Sequence, residues 1–224
     1  VMTAGLDLRD LPLVGRTPPP RPDPHGVVVA VTGPAGAPGR STVALNLAAE
    51  WGSAALVVDA DGVAPALGFM LGLPATAPGV RGACREAAVG RLDSRLLRAA
   101  AHLEHGVTLL PGTRGAQPTG GADALLDLCA RTWPVTVVDC GGPDLGELGS
   151  AAVARATCLV EVALPNALGI RRWVEHLPEV TSGSELLVVW NQVQRGRDAA
   201  SMSDLIGVVA DAAPKARTAG LPWD

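Results

Sequence analysis

The 224-residue chain predicts an α/β fold of three layers, α/β/α, with helices on both faces of a mostly parallel sheet of about seven strands. Three observations carry that expectation. From Gly26 onward, short apolar runs alternate with helix-patterned segments. Most of those runs are continuous Val, Leu and Ala, the pattern of strands buried on both faces of a parallel sheet with right-handed crossovers. Apolar residues make up 48% and charged residues 18%, a globular balance, and the length suffices to bury a full core.

Residues 12–24 hold six prolines, so 1–25 are expected to be a stiff, extended linker or tail rather than core. Strands are expected at 27–32, 54–59, 107–110, 135–139, 158–163, 186–190 and 207–210. Helices are expected near 40–51, 63–71, 82–90, 93–102, 121–132, 147–155, 167–177 and 201–205. The folded domain is thus 26–213. Residues 214–224, with two prolines and a glycine, are expected to be a C-terminal tail unable to form an amphipathic membrane helix.

A net charge of −4 argues against a strongly basic nucleic-acid face. Arg171-Arg172 and Arg195-Gly-Arg197 are either a local basic patch or solvated helix ends and loops. Lys215 is the only lysine. Cys84, Cys129, Cys140 and Cys158 have no metal spacing and are expected to be buried, reduced thiols. Trp51, Trp133, Trp173 and Trp190 are expected to pack in the core or against helices, the alternative being that one belongs to a partner surface. His102 and His105 around Glu104 suggest a solvated helix end more than a metal site, and His25 and His176 stand alone. A signal peptide is not expected, since the first residues lack a basic segment followed by an apolar run, and with no apolar stretch of ~20 residues the expectation is a cytoplasmic chain.

In α/β folds ligands sit at the carboxyl ends of the strands, and the polar motifs of this chain fall there. After the first strand comes Gly33-Pro-Ala-Gly-Ala-Pro-Gly-Arg-Ser-Thr42, then a helix. Backbone N–H groups of Gly39 to Thr42 and the helix N-terminus can hold phosphate, leaving the Ser41 hydroxyl for Mg²⁺. Pro34 and Pro38 lack N–H groups, and Arg40 stands where a phosphate-binding loop normally has lysine. The alternative is a turn that merely joins strand to helix. At the second strand end, Asp59 and Asp61 can hold a Mg²⁺-bound water and orient an attacking water, or act as loop caps. Asp139 repeats the metal-shell logic at a later strand end, and Asn191 offers an amide for an adenine edge.

The order of these motifs resembles the MinD/ParA branch of P-loop ATPases, the group with a deviant Walker A loop (the SIMIBI class). The loop Ala35-Gly36-Ala37-Pro38-Gly39-Arg40-Ser41-Thr42, the Val58-Asp59-Ala60-Asp61 motif, Asp139 and Asn191 carry the resemblance. Leu110-Pro111-Gly112 and Leu164-Pro165 look like the group's strand-end turns. Within it the chain is most similar to the CpaE/TadZ-like proteins of actinobacteria, which help to localise pilus or septum machinery. The resemblance implies ATP/ADP and Mg²⁺ as ligands, held by Gly36, Ala37, Gly39, Arg40, Ser41, Thr42 and Asn191. Ser41 would hold the metal, with Asp59 and Asp139 acting through water, and Asp61, Asp59 and Arg40 would carry any hydrolysis. It further implies an ATP-dependent homodimer and a last helix beyond the tail.

Two departures stand out. The group's signature lysine aligns with Ala35 and its loop lysine with Arg40, so hydrolysis is expected to be very slow. The functions implied are an ATP-binding positioning protein, a non-hydrolysing scaffold for pilus, secretion or septum machinery, or a small-molecule enzyme of the same superfamily. A chromosome- or plasmid-partitioning role is a variant of the first, disfavoured by the acidic balance.

Overall fold

Eight strands form one sheet in the order β3-β4-β2-β5-β1-β6-β7-β8. The computed structural model describes residues 26–115, 120–180, 184–194 and 200–222. The strands are β1 Val27–Thr32, β2 Ala55–Asp59, β3 His102–Glu104, β4 Val107–Leu110, β5 Val135–Asp139, β6 Cys158–Ala163, β7 Glu185–Val193 and β8 Arg217–Pro222. The helices are α1 Arg40–Trp51, α2 Leu67–Met70, α3 Val80–Ala88, α4 Ser94–Ala100, α5 Ala122–Thr132, α6 Gly146–Arg155, α7 Ala167–Val180 and α8 Met202–Ala212. Every neighbouring pair is parallel except β3 with β4, a hairpin at the sheet edge.

Strand alternation divides the core into two sides. Val28, Ala30, Leu56, Val58 and Val138 pack under α3, α4, α5 and α6. Further along that face, Ala163, Val188 and Trp190 meet Trp173 and Leu177 of α7 and Leu205 and Val209 of α8. Val29, Val31, Val57, Val137 and Val160 face the other way, toward α1 and α2. Both faces of the central strands are therefore apolar, which is why the sequence shows runs rather than alternation. Trp173 and Trp190 are fully buried and meet edge to face at 5.4 Å, a geometry that contributes about 0.5–1.5 kcal/mol beyond burial. Trp133 is also buried, and all four cysteines are buried and free.

Four expectations are corrected. The run 207–210 is not a strand but part of α8: the Ser201 hydroxyl and Asp204 carboxylate form a capping box that starts the helix, and Leu205 and Val209 follow at i,i+4 into the core. Residues 217–222, expected in a tail, form β8, parallel to β7, and Gly220 and Pro222 are tolerated because this is an edge strand. The helix expected over 93–102 ends at Ala100, and His102–Glu104 turn back along β4 through His105 (φ 49°) and Gly106 (φ 82°). The helix expected over 63–71 shrinks to 67–70, its first residues taken up by a turn around Asp61. The proline-rich segment 12–24, His25, Arg195 and Arg197 lie outside the described residues. Among the described residues no helix is long and apolar enough to cross a membrane.

Candidate functional site

Because β1, β2, β5, β6 and β7 run the same way, their C-terminal ends share one edge of the sheet. Register then dictates neighbours: Asp59 pairs with Asp139, Val31 with Asp139 and Thr32 with Glu161. The loop 33–39 leaves β1 at this edge and enters α1, whose first closed turn is Val43 N–H to the Gly39 carbonyl at 2.8 Å. The N–H groups of Arg40, Ser41 and Thr42 precede any intrahelical acceptor and carry the positive end of the helix dipole. Gly39 has φ 94°, and a Cβ there would collide with the Asn191 amide, so only glycine fits.

The loop carbonyls are held by side chains from three places. Arg40 Nη1 donates to the Pro34 carbonyl at 3.1 Å, Arg172 Nη1 to Ala35 at 3.2 Å, and Asn191 Nδ2 to Pro38 at 3.0 Å. Ala37 N–H closes a turn onto the Pro34 carbonyl at 3.2 Å. Asn191 also accepts from Gln192 N–H through Oδ1 at 3.0 Å. The amide expected to read an adenine edge thus gives its Nδ2 to the loop and its Oδ1 to the neighbouring β7 backbone.

The carboxylates cluster below. Asp59 is fully buried, and its pKa is pushed up to about 7 by burial first and the Asp139 charge second. Leu67 N–H at 3.1 Å and Asp61 N–H at 3.3 Å oppose that rise, so Asp59 also caps the start of α2. Asp139 is likewise fully buried and shifted up by burial, an effect countered mainly by the Ser41 hydroxyl, then by Gly141 N–H. Its Oδ2 has no hydrogen-bond partner in the geometry described. Asp61 approaches the β5 end so closely that a Cβ on Gly141 would lie 2.6 Å from its carboxyl carbon. One Asp61 oxygen accepts Val63 N–H at 2.8 Å and Ala64 N–H at 2.9 Å, the loop-capping arrangement.

The structure therefore gathers Gly36, Ala37, Gly39, Arg40, Ser41 and Thr42 with Asp59, Asp61, Asp139 and Asn191 at one sheet edge. Two residues join them that sequence reasoning did not place. Arg172 was visible only as half of an arginine pair. Glu161 is buried inside β6 with its pKa raised to about 8 by burial, against the pull of Arg40, and lies 3.7 Å from His176 Nε2. A charge inside the apolar run Cys158-Leu-Val-Glu-Val-Ala163 was the signal that could have found it. The His102–His105 cluster takes no part: His102 Nε2 lies 2.9 Å from the Pro78 carbonyl.

No family model matches the chain. Two curated proteins of uncharacterised function from Mycobacterium tuberculosis strains are 34% identical over 188 residues, 82% of this chain and 53% of theirs. The chain thus spans about half the length of the curated relatives it matches. Among solved structures, the cell division ATPase MinD of Pyrococcus furiosus superposes with TM-score 0.69 at 18% identity, covering 89% of this chain and 84% of that one. A ParA family ATPase from Chlorobium tepidum gives 0.69 at 18%, covering 90% and 86%. The cobyrinic acid a,c-diamide synthase of Mycobacterium smegmatis, with bound ADP and magnesium, gives 0.56 at 22%, covering 83% and 82%. These likenesses show that the chain shares its fold with MinD- and ParA-type ATPases and with this synthase. A fold shared by a cell division ATPase and a synthase leaves the function to be argued from the site.

Proposed function

We propose that this chain is an ATP-binding positioning protein of the MinD/ParA type, nearest to CpaE/TadZ-like proteins, with weak or lost hydrolysis. One observation carries the reading. A buried Asp139 with an unpartnered oxygen sits beside Ser41, at the foot of a helix whose first N–H groups have no intrahelical acceptor. The donor set is all oxygen, which suits a hard cation such as Mg²⁺. Ser41 would hold it directly and Asp59 and Asp139 through water, and the bound cation would neutralise charge on the β- and γ-phosphates. Gly36, Ala37, Gly39 and Thr42 line the phosphate path, and Asn191 closes the loop over it. The likeness to MinD and ParA structures supports an ATP-dependent homodimer that docks pilus or division machinery in the cytoplasm.

The residues themselves account for slow hydrolysis. Ala35 supplies no cation at the position of the signature lysine of the group the chain resembles. A cation delivered to the transition state can change the rate by about 10³–10⁵-fold. Asp61, the candidate to orient attacking water, has one oxygen committed to the turn at 63–64.

Titration calorimetry with ADP and ATP, with and without Mg²⁺, tests the reading. Micromolar to submillimolar binding that strengthens with Mg²⁺ is expected, and absence of heat at millimolar nucleotide removes it. Phosphate release should not exceed that of an Asp61→Ala variant; a clear excess overturns slow hydrolysis. The Arg40–Pro34 contact favours a second reading, a scaffold that binds nucleotide without turnover. Size-exclusion chromatography separates the two, because only the first requires an ATP-dependent dimer.

A further inference from the structure

Arg171 and Arg172 are neighbours on α7 and are engaged differently. Arg171 Nε donates to Glu175 at 2.8 Å, an i,i+4 ion pair on the helix surface. Arg172 instead reaches the loop after β1 and donates to the Ala35 carbonyl at 3.2 Å. It has no carboxylate partner among the described ion pairs.

The contact is built from both sides. Gly36 has φ 74°, and a Cβ there would lie 2.9 Å from Arg172 Nη1. The guanidinium therefore occupies space that a side chain at 36 would need. On the other side α7 is pinned. Trp173 is fully buried against Trp190, and Asn166 holds the first turn by accepting from Gly169 N–H and Ile170 N–H, each at 2.8 Å. A cleft of about 60 Å³ separates the helix start from the loop, walled by Ala35, Gly36, Asn166, Leu168 and Arg172.

The chemistry of the loop gives that cleft a purpose. Pro34 and Pro38 remove two N–H donors from a segment that would otherwise bind anions through its backbone. A guanidinium carries five N–H donors, and only one of those on Arg172 is used on Ala35. Its planar fork matches two phosphate oxygens at once.

We propose that Arg172 is a nucleotide-binding residue. It holds the first turn of the loop through Ala35 and lends its remaining donors to the terminal phosphate of a nucleoside triphosphate. The inference rests on the reading that the 33–42 loop binds a nucleotide.

Calorimetry with ATP–Mg²⁺ and ADP–Mg²⁺ on the full chain, Arg172→Ala, Arg172→Lys and Arg171→Ala tests it. Arg172→Ala should weaken ATP binding by about tenfold or more and ADP binding by less than about threefold. Arg172→Lys should recover part of the ATP affinity, and Arg171→Ala should bind as the unaltered chain does. Unchanged ATP affinity in Arg172→Ala, an equal loss for ATP and ADP, or the same loss in Arg171→Ala overturns the role of Arg172 while leaving the loop a nucleotide site. An unaltered chain that binds neither nucleotide overturns both. A thermal scan of each variant confirms that it is folded at the temperature of the titration.

Discussion

The loop between β1 and α1 has two flanks built on opposite principles. On the β2/β5 flank, Asp59 and Asp139 are fully buried and face each other in register. Burial drives both toward protonation, so ionising them is costly unless a cation sits beside them. On the α7/β7 flank, exposed Arg172 and half-buried Asn191 donate to loop carbonyls. That flank sets the shape of the loop at little cost, because its donors keep contact with water. A ligand site can thus take its affinity from strain on one side and its geometry from surface hydrogen bonds on the other.

Replacing Asp139 by Asn challenges this contrast most strongly. Mg²⁺-dependent ATP affinity should fall about 10–100-fold, while metal-free binding stays within about twofold. The nucleotide-free chain should become more stable, since an unrelieved buried carboxylate is removed. Calorimetry with and without Mg²⁺ and a urea titration read both effects. Equal losses with and without metal would mean that the β2/β5 flank is not a cation seat.

Glu161 is a third buried carboxyl, beneath α7. Burial lifts its pKa from 4.5 to about 8, so the folded chain keeps a proton that the unfolded chain releases near pH 4.5. Its contribution to stability is therefore fully present below pH 4.5 and declines as the pH climbs toward 8. At about 1.4 kcal/mol per pK unit the decline amounts to a few kcal/mol. Glu161→Gln should flatten it, as urea unfolding at pH 5 and pH 8 would show. An unaltered pH profile would exclude Glu161 from this account.

Smaller effects belong to the shaping flank. Asn191→Ala should cost about 1 kcal/mol of stability and about fivefold in nucleotide affinity, because one loop carbonyl loses its donor. An effect as large as that of Asp139→Asn would erase the distinction between the flanks. Arg171→Ala should leave the thermal melt unchanged, since its ion pair with Glu175 lies in water.

The two flanks also differ in how far they could be read beforehand. Asp59 and Asp139 end apolar runs, and a parallel sheet puts such ends on one edge, so their meeting follows from strand direction alone. The Gly-rich loop and Ser41 announce themselves through local backbone needs. Arg172 has no such signature: a residue one position along α7 makes a routine helix pair, and only the helix rotation set by buried Trp173 separates them. Asn191 was visible as a strand-end amide, but its engagement with Pro38 depends on how closely Gly39 approaches β7. The error at 207–210 has the same origin. Gly207-Val-Val-Ala210 reads as a strand by composition, and the capping box at Ser201 together with packing at Leu205 and Val209 decides for helix.

Sequence by itself determined the alternation of buried strands and covering helices, the loop that opens α1, and the carboxylates at the strand ends. These are local or periodic properties, written into residues close together along the chain. Tertiary structure alone decided which arginine reaches the loop, that a carboxyl lies buried in β6 at Glu161, and that residues 217–222 join the sheet as β8. Those outcomes depend on helix rotation, burial and edge pairing between segments far apart in the chain, which no local pattern encodes.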